Sequence, residues 1–164
     1  MSTRVLAACG LTAWIAFAGA LAQEGKSLVS TRLEVSGLVR HGLSLSVEDL
    51  RALALRRGQT AAGGYRGIRL SELLEEADIR QDARHALRRT YVVAAASDGY
   101  QAVFSWGELF NTSVGAQVLV AFERDGSPLR EGEGQIALVS LADERAGVRH
   151  VKWLTRIDVR RVPE

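Results

Sequence analysis

Apolar and polar side chains alternate along residues 33–38, Leu-Glu-Val-Ser-Gly-Leu, which is the period of a strand with one face buried. The period then changes. From Ser46 the spacing of Leu50 and Leu53 fits one face of a helix, and Ser46 followed by Asp49 forms the capping-box pattern that starts one. A second short helix is expected from Ser71, burying Leu73, Leu74 and Ala77 and leaving Glu72, Glu75 and Glu76 to solvent. Glu72, near its start, also suits the helix dipole. The middle of the chain turns to strands: 91–96 as a buried run, 97–99 as a turn and 100–104 as its return. Ser105 and Glu108 repeat the capping-box pattern and launch a short helix into Leu109 and Phe110. The runs 118–122, 136–141 and 155–159 complete the strands, and Asp125-Gly126-Ser127-Pro128 closes the first of them as a turn. The glycine-rich stretch 58–67 reads as a loop that bends around Tyr65. Short helices among many strands argue for an α+β fold, not a wound parallel sheet.

One segment has a different pattern. Arg4 precedes an apolar run over 5–22 that ends in Ala20-Leu21-Ala22 before Gln23-Glu24. A basic start, an apolar core and small residues at the boundary predict a secretory signal peptide over 1–22, cleaved after Ala22, and hence a periplasmic location. An uncleaved anchor is the alternative. Leu6-Ala7-Ala8-Cys9 imitates a lipidation box, but almost no apolar run precedes it. Residues 23–164 are then expected to form one domain, because about 140 residues suffice for a single core and not for two. Cys9 is the sole cysteine of the 164 residues and would leave with the signal. The mature chain would hold no disulfide and no thiolate ligand, although export permits disulfides.

Charge adds little. The formal net charge is +2, with Lys and Arg scattered among Asp and Glu, so no nucleic-acid partner is expected. No G-x-S-x-G elbow, H-E-x-x-H, C-x-x-C or phosphate loop occurs. His41 in a turn and His85 in a charged helical stretch read as solvated, and no catalytic residue is assigned. Two constellations suit a ligand better. Asp98-Gly99-Tyr100 with Trp106 offers a carboxylate for the donor edge of an aminopyrimidine ring and aromatic faces for its plane. Arg149, His150 and Lys152 put three anion donors directly before Trp153 and a strand. The plainer reading makes Asp-Gly a turn, Trp153 core and the basic residues solvated.

Four segments, in order, resemble the oxidoreductase molybdopterin-binding domain of the sulfite oxidase-like fold. They are the opening strand through residues 45–50; Tyr65-Arg66-Gly67-Ile68-Arg69-Leu70 with Leu73-Leu74; the Ser97–Tyr100 turn with 119–122 and 125–129; and Arg149-His150-Val151-Lys152-Trp153-Leu154-Thr155-Arg156-Ile157. The resemblance implies a mixed, barrel-like β-sheet fold with short helices, and cofactor-contacting roles for Arg149 and Lys152. It also implies a cysteine holding molybdenum before the Tyr65 motif. Residues 53–64 contain none, and 141–147 depart from the family's glycine-proline-rich loop, so molybdenum is not expected. Small exported proteins of this fold without the metal ligand include ones that bind free pterins, and this chain resembles that group.

The resulting expectation is a non-enzymatic periplasmic pterin-binding protein. Asp98, Tyr100, Trp106, Arg149, His150 and Lys152 would contact the ligand, and its state would pass to the periplasmic domain of a membrane sensor. The alternatives are a molybdopterin-dependent oxidoreductase or its accessory subunit, and a ligand-free docking module.

Overall fold

The computed structural model describes residues 30–82, 84–145 and 147–163. The expected signal peptide lies outside them. Strand β1 (Arg32–Gly37) buries Leu33 and Val35 in alternation and is followed by β2 (Leu43–Ser46). Helix α1 (Val47–Arg57) begins as its sequence implies. Ser46 Oγ accepts from Asp49 N, and the Asp49 carboxylate accepts in return from Ser46 N at 2.9 Å. Leu50 and Leu53 lie on its buried face.

The stretch 58–67 is not a loop. It forms β3 (Thr60–Ala62) and leads into β4 (Tyr65–Arg69), paired as a hairpin around Gly63 and Gly64. Both turn glycines have positive φ, 57° and 80°, a conformation that glycine adopts without a Cβ clash and that matches strand twist. Helix α2 (Leu70–Ala77) follows at once, its Leu73, Leu74 and Ala77 fully buried. His85 belongs to no α-helix; it sits exposed at φ 60°, just before a 3-10 turn at Ala86–Arg89.

Next come β5 (Thr90–Ala96), β6 (Gln101–Ser105), α3 (Trp106–Asn111), β7 (Val118–Arg124), β8 (Ser127–Pro128), β9 (Ala137–Ser140) and β10 (Leu154–Arg161). Between β7 and β8, Asp125 and Gly126 take φ 50° and 78°, the double left-handed turn that Asp-Gly favours in hairpins.

The strands divide into two sheets and close no barrel. One runs β2-β1-β10-β5-β6, with β1 and β10 parallel; the other runs β3-β4-β7-β8, with β9 also on β7. The main core lies between the sheets and joins Leu33, Phe104 and Ile157 to Ile68, Val120 and Phe122, with the inner faces of α1 and α2. A smaller cluster of Tyr65, Leu119, Ala121, Leu129 and Val139 covers the far face of the second sheet. That explains why β7 reads as an unbroken apolar run: both of its faces are buried. Among the described residues no helix is long and apolar enough to cross a membrane.

The β4–β7 pairing depends on one absent side chain. A Cβ on Gly67 would lie 2.1 Å from the Val120 carbonyl oxygen, next to a register shift in the ladder. Gly67→Ala is therefore expected to destabilise the fold by about 2–3 kcal/mol, read as a lower urea midpoint with an unchanged slope.

Candidate functional site

Two chain segments meet at one end of the first sheet. The turn after β5 is set by Asp98, whose Oδ1 accepts from Tyr100 N at 2.8 Å, and by Gly99 at φ 95°. Residues 147–153 approach it from the other side, on the way into β10. Ser97 N donates to the Trp153 carbonyl at 3.0 Å, and Tyr100 Oη donates to the Val148 carbonyl at 2.5 Å, so the two segments are tied together. Between them is an open cavity of about 180 Å³ lined by Asp98, Tyr100, Gly147, His150, Lys152 and Trp153.

Asp98 and Lys152 therefore share a cavity, both at its solvent-facing rim. Among the described residues neither side chain makes an ion pair, so both remain available to a ligand. Trp153 is not core. It is half-buried and forms one wall, held by its Nε1 donating to the Glu131 carbonyl at 2.9 Å and its backbone N–H to the Glu133 carbonyl at 2.8 Å. Its φ of 49° is unusual for an aromatic residue, and Gly134 makes room for it: a Cβ there would come within 2.8 Å of the indole.

His150 is half-buried and sits edge-on to Tyr65, with ring centroids 5.9 Å apart. Its Nε2 is buried with no partner among the described residues. Burial pushes the imidazole below its usual pKa; Lys152 and Arg124 add to that effect and Glu133 opposes it. At neutral pH His150 is thus an uncharged imidazole, not the cation that its basic neighbours in sequence suggested. Behind it, Tyr65 Oη donates to Glu133 Oε1 at 2.9 Å, and Arg124 reaches the same oxygen at 3.1 Å while lying over the Tyr65 ring. Burial and this carboxylate push the Tyr65 hydroxyl pKa up.

Two of the expected contact residues are elsewhere. Trp106 stacks on Phe110 at 5.0 Å and lines a separate cleft with Leu74, Glu75 and Asp78. Opening a helix turned it away from the Asp98 turn. Arg149 adjoins the cavity without lining it. Its Nε and Nη2 donate to the two oxygens of Asp143, its Nη1 donates to Glu108 Oε1 at 2.5 Å, and its guanidinium lies 4.7 Å from the Phe104 ring centre. This engagement also leaves the second capping box half-formed: Ser105 Oγ accepts from Glu108 N, but the Glu108 carboxylate has gone to Arg149.

Asp143, Glu133 and Arg124 escaped the sequence reading because no motif or periodicity marks them, while Tyr65 and Glu108 stood out there only as a motif residue and as a helix-capping acid. Tyr65 and Arg124 face each other across the β4–β7 pair with Glu133 on both, and Glu108 and Asp143 meet through Arg149. A larger cavity, about 580 Å³, opens between the start of α1 and the β7–β8 hairpin against Val47, Arg51, Phe122 and Leu129; it contains none of the residues selected from sequence.

The family model for the oxidoreductase molybdopterin binding domain matches residues 53–164. The chain belongs to that family. This molybdopterin-binding domain is similar to mitochondrial sulfite oxidase of Rattus norvegicus, at 27% identity over 136 residues, 82% of this chain and 24% of that protein. The Mus musculus enzyme is 28% identical over the same shares. The chain thus spans about a quarter of the length of the curated relatives it matches. Among solved structures, sulfane dehydrogenase SoxCD from Paracoccus pantotrophus superposes with a TM-score of 0.56 at 22% identity, over 78% of this chain and 37% of that one. At that identity the likeness is one of fold.

Molybdenum held through a protein thiolate does not fit this domain. The cavity offers a carboxylate, a phenol, an imidazole, an ammonium and an indole, and the only cysteine of the sequence, Cys9, lies outside the described residues. The stretch 53–64 is the end of α1 and the β3 hairpin, where Gln59 and Thr60 are the only uncharged polar side chains. Replacing a soft thiolate by such oxygen donors changes the metal preference.

The Arg149 interactions have a pH signature. Its guanidinium, with help from Ser140, holds the Asp143 carboxyl below its ordinary value of 3.8. A lowered native pKa stabilises the fold fully above the ordinary value, and that contribution is lost as pH falls through the native one. Asp143→Asn should cost about 2 kcal/mol at neutral pH. In denaturant titrations the gap from the parent should begin to close as pH drops below the ordinary carboxyl range.

Proposed function

We propose that this domain binds a pterin-type cofactor between the Asp98 turn and the 147–153 segment, as a cofactor-holding or accessory part of an oxidoreductase. The observation that carries the reading is the meeting of Asp98, Tyr100, His150, Lys152 and Trp153 around one cavity in a chain of molybdopterin-binding type. Asp98 would accept from the amino and ring N–H edge of the heterocycle, a charge-assisted contact that needs a carboxylate at the rim. Lys152 would donate to the ring carbonyl, and Trp153 and Tyr100 would offer their faces to the plane. His150, uncharged, can donate or accept according to its tautomer.

The likeness to sulfite oxidases supports the oxidoreductase part of the reading. Because the chain spans only a fraction of those proteins, whole-enzyme sulfite chemistry is not assigned to it. No step through molybdenum is derived, since the residues do not provide its thiolate.

A second reading is favoured by that same missing thiolate. In it the domain is exported, is not an enzyme, and passes the state of a bound pterin to a membrane signalling partner. Stoichiometric molybdenum in protein purified from its native host would support the first reading over the second.

Calorimetric titration of the full chain with a pterin tests what the readings share. Asp98→Ala and Lys152→Ala should each weaken binding by about tenfold to a hundredfold, the loss of one charge-assisted contact. Trp106→Ala should change affinity by less than about threefold. A parent protein that takes up no pterin at all would refute the assignment.

A further inference from the structure

We propose that the cleft between the C-terminal end of α2 and helix α3 binds a small organic cation of the methylated-ammonium class. The cleft shares no lining residue with the Asp98–Lys152 cavity, and the inference is independent of the pterin reading.

The cleft has a volume of about 300 Å³, at the lower end of the ~300–1,000 Å³ range of small-molecule pockets. Leu74 and Ile79, both buried, belong to its lining, and Trp106 and Phe110 add two aromatic rings. These two are four positions apart on α3 and therefore share a side of it. Their rings lie 15° from parallel with centroids 5.0 Å apart. The charged part of the lining is acidic, Glu75 and Asp78, and no basic side chain joins it. Aromatic faces attract cations through the ring quadrupole, Trp most strongly.

Glu75 differs from the other acids of α2. Glu76 pairs with Arg57, and Glu72 has Arg69 at 3.8 Å, but Glu75 makes no ion pair among the described residues. Asp78 is met by Arg40 Nε at 3.3 Å. With side chains 61% and 49% exposed, that pair is screened by solvent, and Arg40 does not line the cleft. Arg80, two positions further on, sends its Nε to the Val39 carbonyl. Asp78 is also the C-cap of α2, whose last turn has no basic residue, so the negative end of the helix dipole adds to the two carboxylates.

Carboxylates, helix terminus and aromatic rings all favour a positive guest. The apolar share of the lining then decides which one. A primary ammonium is a strongly hydrated point charge and would lose that hydration against Leu74 and Ile79. A methylated ammonium offers CH groups to the same side chains and keeps its charge for the rings and the acids.

The test titrates the full chain with choline and with its neutral isostere dimethylbutanol, in which carbon replaces the nitrogen. Calorimetry reads the affinities, and NMR of the indole N–H groups reads the place. Choline should bind at least about tenfold more tightly than the alcohol. The Trp106 signal, identified by its loss in Trp106→Phe, should move with choline while that of Trp153 stays. Glu75→Gln should weaken choline about threefold to tenfold and flatten its salt dependence. Trp106→Leu should weaken it by about tenfold, with Trp106→Phe keeping most of the affinity because an aromatic face remains. Glu75 is exposed, so its variant reports even if Trp106→Leu does not fold. Phosphatidylcholine vesicles separate two sources of the cation. Vesicle binding that choline competes away marks a lipid headgroup, and choline binding without it marks a free cation; either bears the inference out.

Equal affinities for choline and the alcohol would reduce the cleft to an apolar groove and overturn the inference. A Trp106 signal that choline leaves unmoved would do the same. Both failures leave the pterin assignment untouched.

Discussion

The antiparallel pairing of β5 with β10 is the constraint on which the site depends. Its register puts Leu154 opposite Ala96, so the turn that leaves β5 and the segment that enters β10 must lie side by side. Residues more than fifty positions apart in the chain, Asp98 and Lys152 among them, are brought to one rim by that single pairing. A register shift between Leu154 and Arg156, with Thr155 Oγ1 on the Ala95 carbonyl, sits directly below the cavity. Irregularities of this kind re-aim the residues beside them. Nothing in the local sequence of either segment encodes the meeting. It follows from where β10 inserts, between β1 and β5, in the middle of the sheet.

Legibility differed by the range of the interaction that fixes each feature. Strands and helices defined by local periodicity and capping were readable: β1, α1 with its Ser46 box, α2, and the β5–β6 hairpin all appear where alternation and helical spacing put them. The β3–β4 hairpin was not, because two glycines in a short polar stretch serve equally for a loop, and only pairing with β7 makes Tyr65–Arg69 a strand. The site was half legible. Asp98, Tyr100, His150 and Lys152 line one cavity, as residue type and spacing suggested. Trp106 shares their stretch of sequence and yet packs on Phe110, since the first residue of a helix points away from the turn that precedes the strand. Trp153, read as core, is a wall. The partners of Arg149 come from separate segments, and neither carries a signature of that pairing; Glu108 reads from sequence only as a capping acid.

The charge pattern around the site makes family membership and local chemistry two separate matters. Membership rests on a match over most of the chain and on the fold. The chemistry rests on side chains that differ from those of a thiolate-ligated metal centre. A basic sequence cluster also proved a poor guide to local charge. Of its three donors, one is locked in ion pairs, one is held neutral by burial, and only Lys152 stands free at the rim.

The left-handed backbone of Trp153 has a consequence of its own. An aromatic residue at φ 49° persists only because its surroundings over-determine it: the Glu131 and Glu133 carbonyls hold its two N–H groups, and Gly134 clears the volume behind the ring. The indole is thereby frozen in its orientation before any guest arrives. A flat guest would then meet a surface already shaped for it and forfeit little side-chain entropy on docking.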